Sequence, residues 1–218
     1  QGTKQVGSSI KPIACIAPAL ENKIITAGTA YDDSKTRFGG YNPHNADNYA
    51  GLITIRTALA KSSNIVHVKI MKELGPENSI KFMEKMGLTI DADHAAPSLA
   101  LGTPNLSPLD MAAAYATIAN NGEYITPIFY TKVEDANGNV VVESKQEKVR
   151  AMSEANAYVL QNLLKAPVQS GTAATCYISN MDVGAKTGST DNYVDRWLCG
   201  FTPYYTAATW FGFDEKEN

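Results

Sequence analysis

Val183-Gly184-Ala185-Lys186-Thr187-Gly188-Ser189-Thr190 reads as a strand, with a Lys-Thr-Gly triplet at its centre. Glycines within a strand let another backbone or a ligand come close. The lysine brings a positive charge, and the hydroxyls of Thr187 and Ser189 can hydrogen-bond an anionic group laid beside it. By itself the triplet fits better a surface strand with a lysine guarding its edge. Two further strand patterns follow, near Arg196–Phe201 and Ala207–Phe213, so the chain closes on strands.

Upstream the patterns are helical. Ile13, Ala14, Ile16, Ala17 and Leu20 mark a buried helix entered through Gly7-Ser8-Ser9-Ile10-Lys11-Pro12. A serine at or near its start is a favoured cap, and Pro18 predicts a kink or an early end. Residues 22–51 are polar and turn-rich, a long surface loop with one short strand expected at Lys23–Ala27. Loops of that length are usually functional or mobile. Helices are expected over Leu52–Lys61, Ile65–Leu74 and Glu77–Met86, with Ser62-Ser63-Asn64 breaking the first from the second. Ser107-Pro108 opens another, running through Asn120, with proline at a favourable first position. Tyr124–Glu134 and Asn139–Val142 read as a hairpin around Asp135-Ala136-Asn137-Gly138, and Ser153 caps a helix to Leu164. Helices segregated from antiparallel strands argue for an α+β architecture, not a parallel doubly wound sheet.

Composition narrows the function. The 218 residues fit one domain, with 44% hydrophobic and 19% charged residues. A net charge of -3 with no basic run gives no reason to expect nucleic acid or an anionic membrane surface. The longest apolar run, Ile13–Leu20, is too short to span a bilayer. Cys15, Cys176 and Cys199 are too few and too odd in number for a disulfide framework; they read as buried small hydrophobes, with one bridge as the alternative. His44, His67 and His94 match no metal-ligand spacing.

Three short motifs carry the chemistry. Ser8-x-x-Lys11 places a hydroxyl and an ammonium on one face of a helical turn. Serine is a weak nucleophile without a base beside it, and lysine serves as that base only if burial or a second cation lowers its pKa. Ser62-x-Asn64 interrupts a helical pattern, where a side-chain pair can be displayed at a cleft edge. Lys186-Thr187-Gly188 is the third. Each alone is a cheap match. Their order, and their contexts of helix start, helix break and strand, form a set shared by penicillin-binding proteins and class A β-lactamases.

The chain resembles the transpeptidase domain of penicillin-binding proteins, and specifically the class A, bifunctional ones. The resemblance covers nearly the whole length. It extends to Gly7-Ser8-Ser9-Ile10-Lys11-Pro12, Tyr49-Ala50-Gly51-Leu52-Ile53-Thr54-Ile55-Arg56-Thr57-Ala58-Leu59, Ser107-Pro108-Leu109-Asp110-Met111-Ala112 with Tyr115-Ala116, Gly171-Thr172-Ala173, and Trp197 through Thr202-Pro203 to Trp210-Phe211-Gly212. It implies a β-lactamase-like fold, an antiparallel sheet with helices on both sides. It also implies a serine-type D,D-transpeptidase that cross-links peptidoglycan stem peptides ending in D-Ala-D-Ala and is acylated by β-lactams.

On the same grounds Ser8 would be the acylated nucleophile, Lys11 its base, Ser62 the proton relay, and Lys186 the charge beside it. Asn64, Thr187, Gly188 and Ser189 would bind substrate, and the N–H groups of Ser8 and Ser189 would form the oxyanion hole. No metal and no cofactor is implied. The parent protein would also carry a glycosyltransferase and be anchored in a bacterial membrane, with this soluble piece on the extracytoplasmic face.

Two departures bear on that expectation. Ser189 stands where threonine is more usual, with the hydroxyl retained. Relative to the family, residues 1–218 lack strands upstream of the nucleophile and a C-terminal helix. An open sheet edge and an uncovered core face are therefore expected, with a separate fragment as one source of the missing parts. Among rivals, a class A β-lactamase would need a Glu-x-x-x-Asn segment between the second and third motifs, and none is present. A DD-carboxypeptidase and a non-catalytic β-lactam sensor share the motifs and stay as alternatives.

Overall fold

In a computed structural model that describes residues 2–213, Gly7–Glu21 is one buried rod of changing pitch. It starts as a 3₁₀ turn over Gly7–Ile10, loosens to a π turn over Pro12–Ile16, and ends as helix α1 over Ala17–Glu21. The prolines account for the irregularity. Pro12 has no N–H for the carbonyl of Ser8, which takes the Lys11 N–H instead. Pro18 has none for the carbonyl of Ala14, and the buried Ser79 hydroxyl donates to that oxygen at 2.6 Å. Pro18 sits in the first turn of α1, where it is tolerated, so the rod continues to Glu21.

The remaining elements follow in order. Strands β1 (Lys4–Gln5), β2 (Ala30–Asp32) and β3 (Leu52–Thr54) precede helices α2 (Ile55–Lys61), α3 (Asn64–Leu74) and α4 (Pro76–Glu84). Then come β4 (Asn105–Leu106), α5 (Pro108–Ala119), β5 (Glu123–Ile125), β6 (Lys132–Glu134), β7 (Val140–Glu143), β8 (Lys148–Arg150) and α6 (Glu154–Ser170). Strands β9 (Gly184–Ser189), β10 (Asp195–Phe201) and β11 (Thr206–Gly212) close the chain.

Three local expectations need correction. No strand forms at Lys23–Ala27, because the N–H groups of Ile24 and Ile25 both go to the Ala19 carbonyl at the end of the rod. Leu52–Thr54 pairs with β2 instead of starting a helix, and Thr54 then caps α2 by accepting the Thr57 N–H. The hairpin forms between β6 and β7 only; the Tyr124 stretch leaves it to pair with β8, and Pro127 separates the two parts. The capping box of Ser107 and Asp110 on α5 and the Ser153 cap of α6 are present.

The main sheet is antiparallel, in the order β11-β10-β9, with Lys186 opposite Cys199 and Gly188 opposite Trp197. Side chains alternate along β10, so Trp197 and Cys199 enter the core while Arg196 and Leu198 point away. Helix α5 packs on β10 and β11, and α6 lies along β9. Among the described residues the face of Leu198, Thr209 and Phe211 is exposed, bordered by the segment around Cys176–Ile178. Asp214–Asn218 lie outside the described residues.

Helix α3 is buried on nearly every side, His67 included. Its Nδ1 meets the Ser63 carbonyl at 2.6 Å, while Nε2 has no hydrogen-bond partner. Burial, and then the charge of Lys11, hold this imidazole well below its ordinary pKa. The folded state thus excludes a proton that the unfolded chain takes up below about pH 6.5. Stability is expected to rise with pH up to that value and to fall below it, by at most about 1.4 kcal/mol per pH unit from this residue. Urea midpoints measured between pH 5 and 7.5 should show the slope in the wild type and a flatter profile in His67→Leu. An identical slope in the variant would exclude His67 as its source.

Candidate active site

The turn at Ser8 touches strand β9 backbone to backbone, and two glycines make this possible. Gly7 has φ +54°, which glycine adopts without strain. A Cβ there would stand 2.5 Å from the Ser189 carbonyl oxygen. A Cβ on Gly188 would stand 2.4 Å from the carbonyl oxygen of Val6. Ser8 and Ser189 therefore share one wall of the cleft. Gly188 was expected among the substrate-binding residues; instead it is buried against Val6 and Ser9, and its missing side chain is what lets the wall close.

The turn has further anchors. Val6 and Gly7 donate their N–H groups to the carbonyls of Pro104 and Gly102. The Tyr115 hydroxyl donates to the Ser9 carbonyl at 2.6 Å, and the Trp197 indole to that of Gln5 at 2.9 Å.

The opposite wall is the break between α2 and α3. Ser62 ends α2 in the left-handed conformation, φ 56° and ψ 39°. A non-glycine residue there costs on the order of 1 kcal/mol or more. The conformation sets its Oγ between two lysine nitrogens, 2.8 Å from Lys186 Nζ and 3.1 Å from Lys11 Nζ. Lys11 also donates to the Ser62 carbonyl and to Asn64 Oδ1, each at 2.7 Å. All three hydrogen-bond contacts of its Nζ are thus with the Ser62–Asn64 segment. Lys186 donates in addition to the Thr187 carbonyl at 3.0 Å.

Both lysines are 0% exposed. Burial, and next the positive charge of Lys186, push Lys11 well below the ordinary lysine range, against opposing pulls from Cys15 and Asp33. Burial brings Lys186 down to about 7. Cys15 and Cys199 lie close to these amines, but burial pushes their thiols up to about 12, so they stay neutral. Cys15, Cys176 and Cys199 are free; the first and last are buried as expected, and Cys176 is half-buried.

Ser8, Ser62, Asn64 and Ser189 border a cleft of about 450 Å³ that also receives Thr172, Thr187 and Thr190, with the two lysines buried behind it. The Thr187 hydroxyl donates to that of Thr172 at 2.7 Å. His44–Asp47 and Asp191–Tyr193 form its rims. Chemically the arrangement offers the cleft-lining Ser8 and a hydroxyl, that of Ser62, bridging two amines of lowered basicity. A hydroxyl carries one proton and two lone pairs. Ser62 can therefore accept from a protonated lysine while donating to a neutral one.

The family model described as penicillin binding protein transpeptidase domain matches residues 1–218. The chain belongs to the penicillin-binding protein transpeptidase family. Penicillin-binding protein 1A of Clostridium acetobutylicum is 37% identical over 227 residues, which cover 97% of this chain and 28% of that protein. Penicillin-binding protein 1A/1B of Bacillus subtilis is 34% identical over 237 residues, covering 100% of this chain and 26% of that protein. The chain thus spans little more than a quarter of these relatives, and their names agree with a class A domain. Among solved structures, penicillin-binding protein PonA1 of Mycobacterium tuberculosis superposes with a TM-score of 0.88 at 26% identity, covering 100% of this chain and 62% of that one. Penicillin-binding protein 1A of Haemophilus influenzae gives 0.85 at 26% identity, covering 98% and 38%.

Of the residues expected at the site, Ser8, Ser62, Asn64, Thr187 and Ser189 line one cleft, and Lys11 and Lys186 both contact Ser62. Several neighbours of the set were not singled out from sequence. Thr172 was noted only as part of a flanking stretch. Asp33, His44 and Asn45 belong to the long loop, whose density of turn residues was its one signal. Among the described residues no helix is long and apolar enough to cross a membrane.

Proposed function

We propose that this domain is a D,D-transpeptidase working through an acyl-enzyme on Ser8. The observation that carries the reading is the Ser62 hydroxyl held between the buried amines of Lys11 and Lys186 within the cleft that Ser8 lines.

Neutral Lys11 removes the Ser8 proton as the serine oxygen attacks the carbonyl carbon of the penultimate D-Ala. The oxyanion that forms accepts from the N–H groups of Ser8 and Ser189, which gain strength only as charge develops. Collapse breaks the peptide bond. The proton reaches the leaving D-Ala amine through Ser62, leaving an ester on Ser8. An amine of a neighbouring stem peptide then attacks the ester, gives up a proton along the same route, and restores the serine. Asn64 orients the donor peptide by its amide, and the hydroxyls of Thr187 and Ser189 hold the terminal carboxylate. A β-lactam enters the same path and stops at the ester, since its amine stays tethered to the acyl group. The full-length protein is proposed to be anchored in the bacterial membrane and to act on peptidoglycan outside it.

The test supplies a stem-type peptide ending in D-Ala-D-Ala with and without an amine acceptor, and follows D-Ala release and product mass. Cross-linked product together with free D-Ala is the expected result. Free D-Ala with only the shortened peptide would mark a DD-carboxypeptidase. Stoichiometric labelling by penicillin with no peptide turnover would mark a sensor.

A further inference from the structure

The mechanism above uses no residue of the loop between Ala30 and Gly51, yet one side chain of that loop is built into the centre of the molecule. Asp33 is 1% exposed. Its carboxylate accepts the Asn45 Nδ2 protons on both oxygens at 3.0 Å, the Ala50 N–H at 3.1 Å, and the Ser63 hydroxyl in a short bond. Its own N–H donates to the Gly51 carbonyl at 2.7 Å, closing the neck of the loop. We propose that Asp33 is a positioning residue for the reaction, setting the hydrogen-bond polarity of the Ser62–Asn64 wall and placing one buried negative charge behind Lys11.

The argument follows from what a carboxylate can do. An ionised carboxylate only accepts. Asn45 must therefore turn its amide nitrogen toward Asp33, which aims Oδ1 at the start of α3. That oxygen accepts the N–H groups of Asn64 at 2.8 Å and Ile65 at 3.3 Å. Ser63 must spend its proton on Asp33, which frees its lone pairs to accept the Val66 N–H at 3.1 Å as the helix cap. Two donors of the first turn of α3 are thereby taken by Asn45 and a third by Ser63. One step further, Asn64 Nδ2 donates to the His44 carbonyl at 2.6 Å, so Asn64 Oδ1 faces Lys11. The loop thus dictates which end of the Asn64 amide meets the lysine. It also braces Ser62, whose left-handed backbone persists only if its surroundings hold it.

The charge adds a second consequence. The groups acting on Lys11 are Lys186 from β9, Cys15 from its own rod and Asp33 from the loop, with His67 of α3 beside them. Cys15 is neutral, so Asp33 is the negative charge that counters Lys186. Removing it makes Lys11 easier to deprotonate.

The inference rests on the acyl-enzyme reading, and the experiment separates the two. Rates of labelling by a fluorescent penicillin are measured from pH 5 to 9 for the wild type, Ser8→Ala, Asp33→Asn and Asn45→Ala, each normalised to folded protein. Asp33→Asn keeps the shape but presents an NH₂ to converging donors, and is expected to lose tenfold or more in rate, since small misplacements of reacting groups cost up to about a hundredfold. Its acid limb should also move to lower pH. Asn45→Ala should lose a similar factor with the limb in place, because the charge remains.

A wild type that does not label overturns the acyl-enzyme reading. A labelled wild type with Asp33→Asn equal to it per folded molecule, or with its acid limb unmoved, overturns the role of Asp33 alone. Should Asp33→Asn not fold, Asn45→Ala decides: a wild-type rate refutes the proposal, and a tenfold loss supports it.

Discussion

Ser8→Ala is expected to leave no covalent penicillin on the protein, while its thermal midpoint stays within about 2 °C of the wild type. The loss should be complete, because the neighbouring hydroxyl cannot take over. Ser9 is buried, its Oγ donates to the Val6 carbonyl at 2.7 Å, and its side chain packs beside Gly188 away from the cleft. Ser8 by contrast is half-buried and opens onto the cleft, so removing its oxygen creates no internal cavity. Intact mass spectrometry with and without penicillin, followed by peptide mapping, reads the result directly. An adduct that persists in the variant would sink the assignment of the nucleophile.

Lys11→Met is expected to slow acylation by about three orders of magnitude in a protein that still folds. An ordinary lysine at pH 7 is neutral in only about four molecules in ten thousand. Burial and the neighbouring charge of Lys186 remove most of that obstacle here, and the variant discards the base altogether. The effect on stability is small because two contributions oppose. Methionine abolishes the cost of burying an amine, but it strips donors from Asn64 Oδ1 and the Ser62 carbonyl, at roughly 1–3 kcal/mol for a buried group left unpaired. Stopped-flow labelling and urea unfolding on the same preparation check both halves. A rate within tenfold of wild type would remove Lys11 from the role of base and leave Lys186, with its pKa of about 7, as the candidate.

Much of this was legible in the sequence. The three terminal strands, the helix break at Ser62-Ser63-Asn64 and the proline-opened α5 follow from local rules that act over a few residues. Those rules failed where a distant partner decided. Lys23–Ala27 has strand-like residues but no free neighbour to pair with, since its donors finish the preceding helix. Leu52–Thr54 has helical periodicity but lies beside Ala30–Asp32, and the sheet bond prevailed. A glycine in a strand admits either a ligand or another backbone, and the family resemblance implied a ligand at Gly188; only the fold shows that the approaching group is the Val6 backbone.

The sequence by itself determined the candidate reactive groups and their order along the chain, because hydroxyls and amines are properties of residue types and each motif sits within one turn or one strand. It could not determine how those groups act on one another. That Lys11 spends its donors on Ser62 and Asn64, that Lys186 and Lys11 share one hydroxyl, and that Asp33 reaches the same wall are matters of tertiary structure. The reason is electrostatic. An amine loses its proton near neutral pH when water is excluded or a second cation is close; burial acts on both lysines and the charge of Lys186 on Lys11, and each arises from residues far apart in sequence brought into one buried space.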